Sequence, residues 1–202
     1  MKFRITILCE NSVGPISGTL GEHGFSALIE PSQGEPLLFD TGQGLTLLHN
    51  AQRMDKDLSA VGNVVLSHGH YDHCGGLLPL LTEYGPKQIH AHPGIFTPRF
   101  RLKDTGECYP IGITHSRDQL EAAGGTFELS KEFREIAPGM SLTGEVPRVT
   151  AFEAGCTATA PGRMLTTRRM ISPCYWRRGG GWLLSWGAAM PDWSIRWSTS
   201  PA

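Results

Sequence analysis

From Phe3 to Glu10, apolar and polar residues alternate, the period of a half-buried strand. Gly24 to Glu30 and Pro36 to Asp40 (PLLFD) predict two more strands around a turn at Pro31 to Gly34. Gly44 to Met54 carries Leu45, Leu47 and Leu48 and predicts a helix; Asn63 to Leu66 (NVVL) is a short apolar strand. Gly76 to Tyr84 predicts a helix with Leu77, Leu78, Leu80 and Leu81 facing inward. Lys87 to Ala91 is again a strand, Ser116 to Ala123 a helix capped by Ser116, and Phe127 to Leu129 a short strand. Strands and helices in alternation predict an α/β layered domain rather than a bundle or barrel. No internal repeat is visible.

The length of 202 residues suits one domain, or one domain and a fragment, and 40% hydrophobic residues is ordinary for a globular protein. A net charge of −1 gives no overall electrostatic case for nucleic acid or an anionic membrane. The opening MKFRITILCENSVG is broken by Arg4 and Thr6, so it reads as a strand and not a signal peptide. No apolar run approaches the roughly 18–20 residues of a membrane span. Five cysteines without CxxC spacing point to free thiols in a reducing compartment, the cytoplasm by default.

These averages conceal a break. Residues 1–153 hold 12 Lys+Arg and 18 Asp+Glu, a balance of −6, whereas residues 154–202 hold six Arg, no Lys and only Asp192, a balance of +5. All five tryptophans (Trp176, Trp182, Trp186, Trp193 and Trp197) fall in the second part. That part follows neither period 2 nor period 3.6; it has too many aromatics for a disordered tail and too few acids for an ordinary domain.

The chemistry concentrates where the NVVL strand ends. His68, Gly69, His70, Tyr71, Asp72 and His73 form an H-x-H-x-D-H run. In an extended chain, side chains two apart point the same way, so His68 and His70 can grip one cation. Asp72 and His73 diverge, which lets them face a second. Imidazole and carboxylate suit zinc, with iron or manganese as alternatives. Water between such cations has its pKa lowered toward about 7, and Asp72 can orient that nucleophile as well as ligate. Cys74 is either a soft ligand or a small residue filling the loop.

This run, preceded by Leu37 to Gly42, resembles the metallo-β-lactamase superfamily. The segments ENSVG (Glu10 to Gly14), EHGFSALIE (Glu22 to Glu30), LLFDTGQG (Leu37 to Gly44), LSHGHYDHCGGL (Leu66 to Leu77) and TGEVPR (Thr143 to Arg148) are similar to a narrower group. That group is the 7,8-dihydropterin-6-methyl-4-(β-D-ribofuranosyl)aminobenzene-5′-phosphate synthase-like metallo-hydrolases. The resemblance covers residues 1–153 and implies an αββα sandwich with two divalent metals, zinc foremost, at the strand ends. It implies His68, His70, Asp72 and His73 as metal ligands, with Asp72 also catalytic, and Asp40 as a support that holds the loop. An ordinary turn aspartate is the other reading of Asp40. His92 and Arg99 follow the Lys87 to Ala91 strand and are candidates for a substrate phosphate or carboxylate, against a solvated-loop reading. His23, His49, His90 and His115 show no partner pattern and read as structural or surface.

The same family supplies further ligands from its second half, through a DDQAL-type segment, a glycine-cysteine-x-histidine strand end and a later histidine. This chain has no histidine after His115. The genetic code tests whether the frame changes there. Joining the last base of each codon to the first two of the next, GWLLSWGAAMPDWSIRWSTS from Gly181 is compatible with GLVVVLGCCHAGLVNTLEHV. The Trp186–Gly187 junction must give Gly and Met190–Pro191 must give Ala; Ala189–Met190 permits His and Trp197–Ser198 permits Glu. Upstream, RMLTTRR is compatible with DADDQA. Residues 154–202 therefore read as an out-of-frame tail on an incomplete domain. Half a sandwich should expose the apolar face that its other half covers. The function expected is a metal-dependent hydrolase or phosphate-ester transferase using metal-activated water on a small, phosphorylated or pterin-linked substrate, with no membrane partner. The alternatives are an inactive truncated product or a non-enzymatic Arg/Trp-rich segment for anionic or nucleic-acid partners.

Overall fold

In a computed structural model of the chain, the alternating run at the start forms strand β1 (Phe3–Cys9), antiparallel to β2 (Ser26–Pro31). The structure describes residues 2–15, 17–102, 105 and 107–146, and the backbone alone of 183–184 and 195–197. β2 pairs antiparallel with β3 (Leu37–Phe39), and β3 lies parallel to β4 (Asn63–Val65), which lies parallel to β5 (Lys87–Ala91). Beyond β5 a small hairpin, β6 (Phe100–Leu102) and β7 (Cys108–Pro110), stands apart as its own two-stranded sheet. The chain then returns through a helix to β8 (Gly125–Leu129), parallel to β5, giving one six-stranded sheet in the order β1-β2-β3-β4-β5-β8.

Parallel neighbours need crossovers, and helices supply them. α1 (Leu47–Arg53) links β3 to β4, α2 (Tyr71–Cys74) and α3 (Leu77–Tyr84) link β4 to β5, and α4 (Arg117–Ala122) precedes β8. Their apolar residues Leu47, Ala51, Leu77, Leu80, Leu81 and Leu120 pack with Leu28, Leu38, Val64 and Ile89 of the sheet into one core. Successive strand residues face opposite sides. Ala27, Ile29, Leu37, Phe39 and Val65 therefore form a second core with Phe25, Met140 and Leu142 on the other face. Those last two belong to β10 (Met140–Leu142), which pairs with β9 (Arg134–Ala137) and begins a second sheet. By backbone, β12 (Ile195–Trp197) pairs antiparallel with β10, and β11 (Leu183–Leu184) with β12. Helices, a sheet and the start of a second sheet are three layers of the expected αββα sandwich. The second sheet does not reach β1: Phe3 packs on the second core, but Ile5 and Ile7 on the same face of that strand are 43% and 41% exposed.

The predicted elements sit where the apolar periods placed them, with three differences. α1 starts at Leu47 instead of Gly44, because the Leu45 N–H donates to the buried Glu22 carboxylate at 3.1 Å. The single turn α2 and the hairpins β6–β7 and β9–β10 carry no apolar period of their own and were not expected. The short pairings of Leu183–Leu184 and Ile195–Trp197 modify the expectation that the tail holds no strand; the rest of residues 154–202 lies outside the described residues. Ser116 caps α4 as predicted, in a reciprocal capping box with Gln119. Among the described residues no helix is long and apolar enough to cross a membrane.

One polar latch ties the two sheets. His90 Nε2 lies 2.8 Å from Asn63 Oδ1, its Nδ1 lies 2.9 Å from Arg134 Nη2, and Arg134 also donates to the Glu128 carboxylate. A guanidinium only donates, so Nδ1 is the acceptor and His90 is neutral. Burial, then the Arg134 charge, pushes its pKa down to about 4. An unfolded histidine titrates near 6.5, so the His90 contribution is complete above that pH and is lost as pH falls toward about 4. His90→Gln should therefore shrink the acid loss of stability between these limits by up to about 3 kcal/mol, read from urea unfolding at both ends. An acid limb of unchanged depth would refute the assignment.

Candidate metal centre

The carboxyl ends of three adjacent parallel strands, β3, β4 and β5, meet at one edge of the sheet, where such folds place ligands. At the end of β3, Asp40 is fully buried with a left-handed backbone, φ 56°, a conformation that aspartate tolerates better than most residues. Its N–H donates to Val65 O at 2.8 Å, and its carbonyl accepts from Ser26 Oγ at 2.8 Å. The carboxylate then binds the next loop. Oδ1 accepts from the Ser67 N–H at 2.7 Å; Oδ2 accepts from Ser67 Oγ at 2.7 Å and from His73 Nδ1 at 2.7 Å.

These directions decide two tautomers. His73 gives its Nδ1 proton to Asp40, which makes Nε2 its lone-pair nitrogen. The Ser67 hydroxyl spends its one proton on Asp40, so the His68 Nδ1, 2.9 Å from that oxygen, must donate to it. His68 then also carries its lone pair on Nε2, and the two rings lie 4.1 Å apart. His70 Nδ1 stands 3.0 Å from His68 Nε2 and donates to it, which leaves the buried His70 Nε2 with no hydrogen-bond partner among the described residues. Such an orphan costs about 1–3 kcal/mol. Asp72 Oδ2 lies 3.7 Å from His73 Nε2 and 3.2 Å from His23 Nε2. Burial, then the neighbouring His73, His70 and Arg99, holds the His68 pKa well below its usual value. Burial pulls His70 down to about 4, with Asp72 pulling the other way. Both rings are neutral at neutral pH, the state in which imidazole binds metal.

The loop is clamped from outside. Arg99, nine-tenths buried, donates from Nη1 to Ile95 O and Thr97 O at 3.1 Å each and to Gly69 O at 3.5 Å, and from Nη2 to Gly94 O at 3.1 Å. A Cβ on Gly69 would stand 2.1 Å from Ile95 O and 2.5 Å from Arg99 Nη1, so only glycine fits between His68 and His70. Cys74 Sγ donates to His68 O at 3.0 Å and fills the loop from within. His92 caps the 3-10 turn Pro93–Phe96, its Nδ1 accepting from the Gly94 N–H at 3.0 Å, and its Nε2 lies 3.6 Å from Glu145.

Of the residues singled out in the sequence, His68, His70, Asp72, His73 and Asp40 are thus brought together. His92 and Arg99 frame the loop at its flank. His23 at Asp72 was missed: its signal was the EHGF segment, whose histidine has no ligand spacing to the H-x-H-x-D-H run. Among the described residues, no group of three or more His, Cys, Asp or Glu stands as a preformed coordination shell. The donors nevertheless fit a divalent cation: three imidazoles, two of them held neutral by burial, a carboxylate, and an orphaned nitrogen on His70. Asp40→Asn tests this arrangement. Asparagine tolerates the left-handed backbone but has one acceptor oxygen where Asp40 uses two, so either the Ser67 N–H or the Ser67 hydroxyl and His73 ring lose their acceptor. The expected result is a loss of about 1–3 kcal/mol in urea unfolding of the metal-free chain. A stability equal to wild type would refute it.

The family model for the metallo-beta-lactamase superfamily matches residues 20–149. The chain is 31% identical over 150 residues to the 7,8-dihydropterin-6-methyl-4-(beta-D-ribofuranosyl)-aminobenzene-5'-phosphate synthase of Methanocaldococcus jannaschii, covering 71% of this chain and 50% of that protein. It is 30% identical over 118 residues to a ribonuclease Z of Gemmatimonas aurantiaca, 56% of this chain and 36% of that one. Among solved structures, zinc-bound PqqB from Methylobacterium extorquens superposes with TM-score 0.40 and 24% identity, over 61% of this chain and 40% of that one, too distant a likeness to argue from. The chain spans about half the length of the synthase. The match to residues 20–149 carries the assignment: the chain belongs to the metallo-β-lactamase superfamily, a family of enzymes, and is similar to its dihydropterin-linked synthase.

Proposed function

We propose that residues 1–153 carry one half of a metal-dependent hydrolase or phosphate-ester transferase whose cation-binding residues are His68, His70, Asp72 and His73. The observation that supports this best is the double role of the buried Asp40 carboxylate, which presents the Nε2 lone pairs of His68 and His73 on one side of the loop. A divalent cation there, zinc foremost, supplies Lewis acidity that acidifies a water and polarises an ester. The protein's own part is to keep the imidazoles neutral and to hold Asp72, the candidate catalytic carboxylate, at the solvent side of His73. Asp40 supports the loop as the sequence suggested. Arg99 acts through the loop carbonyls it binds, and His92 by fixing the turn that carries them, rather than by touching substrate. The synthase likeness favours a small phosphorylated or pterin-linked substrate. The free thiols of buried Cys9 and Cys74 and of exposed Cys108 suit a reducing compartment, the cytoplasm.

Residues 154–202 are, in this reading, an out-of-frame product. Support comes from the family match ending at 149, the break in composition at the same place, and Ile5 and Ile7 left exposed on the face that a complete second sheet would cover. The Arg/Trp-rich binding alternative rests on side chains outside the described residues.

Zinc content after dialysis tests both parts. The chain as given should retain fewer than two zinc ions and lose them with His68→Ala plus His70→Ala. A single-base insertion within codons 150–165, which restores the alternative frame, should bring two ions and phosphodiesterase or lactonase turnover. Two tightly held ions and turnover in the unaltered chain would overturn the out-of-frame reading. Zinc retention unaffected by the double variant would overturn the ligand set.

A further inference from the structure

Two segments of the chain, ENSVG and EHGF, converge on Asp72 without a role assigned to them so far. The Glu22 N–H donates to Glu10 O at 3.1 Å and lays the two segments side by side. Gly24, with φ 134°, brings its backbone so near that a Cβ would stand 2.1 Å from Asp72 O. The Phe25 N–H donates to that same oxygen at 3.2 Å, and Gln43 Nε2 donates to His23 O at 2.7 Å. His23 is thus held beside Asp72 by backbone restraints on both sides.

Its ring stands between the Asn11 amide and the Asp72 carboxylate, and the amide gives it one polarity. Asn11 Oδ1 accepts from the Gly24 N–H at 3.3 Å, which orients the amide and turns Nδ2 toward His23 Nδ1, 3.4 Å away. An amide nitrogen has protons and no lone pair to offer, so Nδ1 of His23 is the acceptor. That leaves Nε2 as the ring's donor, and this nitrogen lies 3.2 Å from Asp72 Oδ2. The imidazole side chain is 64% exposed and the carboxylate 12%, so His23 forms the solvent side of Asp72.

We propose that His23 is a positioning residue for Asp72. Through the polarity imposed by Asn11, it donates Nε2–H to Oδ2 and sets the rotation of the carboxylate, leaving Oδ1 and the remaining lone pair of Oδ2 for cation and water. This rests on the cation-binding reading above. It gives both segments a role: Asn11 fixes the tautomer, and His23 delivers its consequence to the centre.

The test uses the full 202-residue chain with cobalt(II) as probe, affinity being read from the visible absorption of the bound ion. His23→Ala should weaken cobalt binding by roughly 10–100-fold, the usual effect of losing a hydrogen bond to a ligand. His23→Gln, which offers an amide N–H at similar reach, should recover most of it. Asn11→Asp is the sharper variant. Its carboxylate still accepts from Gly24 N–H, but it draws the His23 proton to Nδ1 and turns a lone pair toward Asp72. Affinity should fall about as far as in His23→Ala. Long-range proton–nitrogen spectra of the metal-free protein should show the tautomer change from Nε2–H to Nδ1–H. A tautomer change without loss of affinity overturns the proposal, as does His23→Ala binding within twofold of wild type while His68→Ala abolishes binding. Were His68→Ala to bind as wild type, the cation reading itself would fail, and this inference with it.

Discussion

A single buried carboxylate at the end of β3 organises the centre. Asp40 accepts three hydrogen bonds from two points of the adjacent loop, the Ser67 main chain and hydroxyl and the His73 ring, each at 2.7 Å. A buried charge is tolerated only when its lone pairs are satisfied, so the loop is locked where those donors are. The consequence is chemical as well as mechanical. Because a serine hydroxyl has one proton, Asp40 determines the tautomer of His68 without touching it. Loop position and imidazole protonation thus follow from the same interaction, and the left-handed backbone at residue 40 is what aims it.

That interaction requires strands buried on both faces. Leu28, Leu38 and Val64 face the helices, while Ala27, Ile29, Leu37, Phe39 and Val65 face the second sheet. Only with β3 and β4 clamped from both sides can their ends be fixed well enough to position a carboxylate against a serine. The first core is continuous beneath the helices; the second is smaller and ends before Ile5 and Ile7. The loop keeps its geometry through Asp40 and Arg99.

Much of this was legible in the chain. The periods at Phe3 to Glu10, Leu37 to Phe39, Asn63 to Val65 and Lys87 to Ala91 mark strands because burial on one or two faces leaves its trace directly in residue type. The helix cap at Ser116 was legible for a local reason, since its partner Gln119 is three residues away. The hairpins β6–β7 and β9–β10 were not, because their pairing is with each other and with a distant layer rather than with a repeating apolar face. Arg99 was a candidate for an anion, against a solvated-loop reading, and its bonds to loop carbonyls could not be read from the chain, since a guanidinium offers the same donors to either.

The sequence by itself determined which ligand-type side chains stand together at the strand end. Four ligand-type residues within six positions at a strand end, the family, and the break in composition near residue 154 are properties of order along the chain, and they need no coordinates. Only the tertiary structure decided how those donors are oriented. Asp40 is 33 residues from His73, and His23 and Asn11 reach Asp72 across the antiparallel start of the sheet. Hydrogen-bond direction depends on which donor meets which acceptor in space. Sequence spacing carries no record of that for residues on different strands.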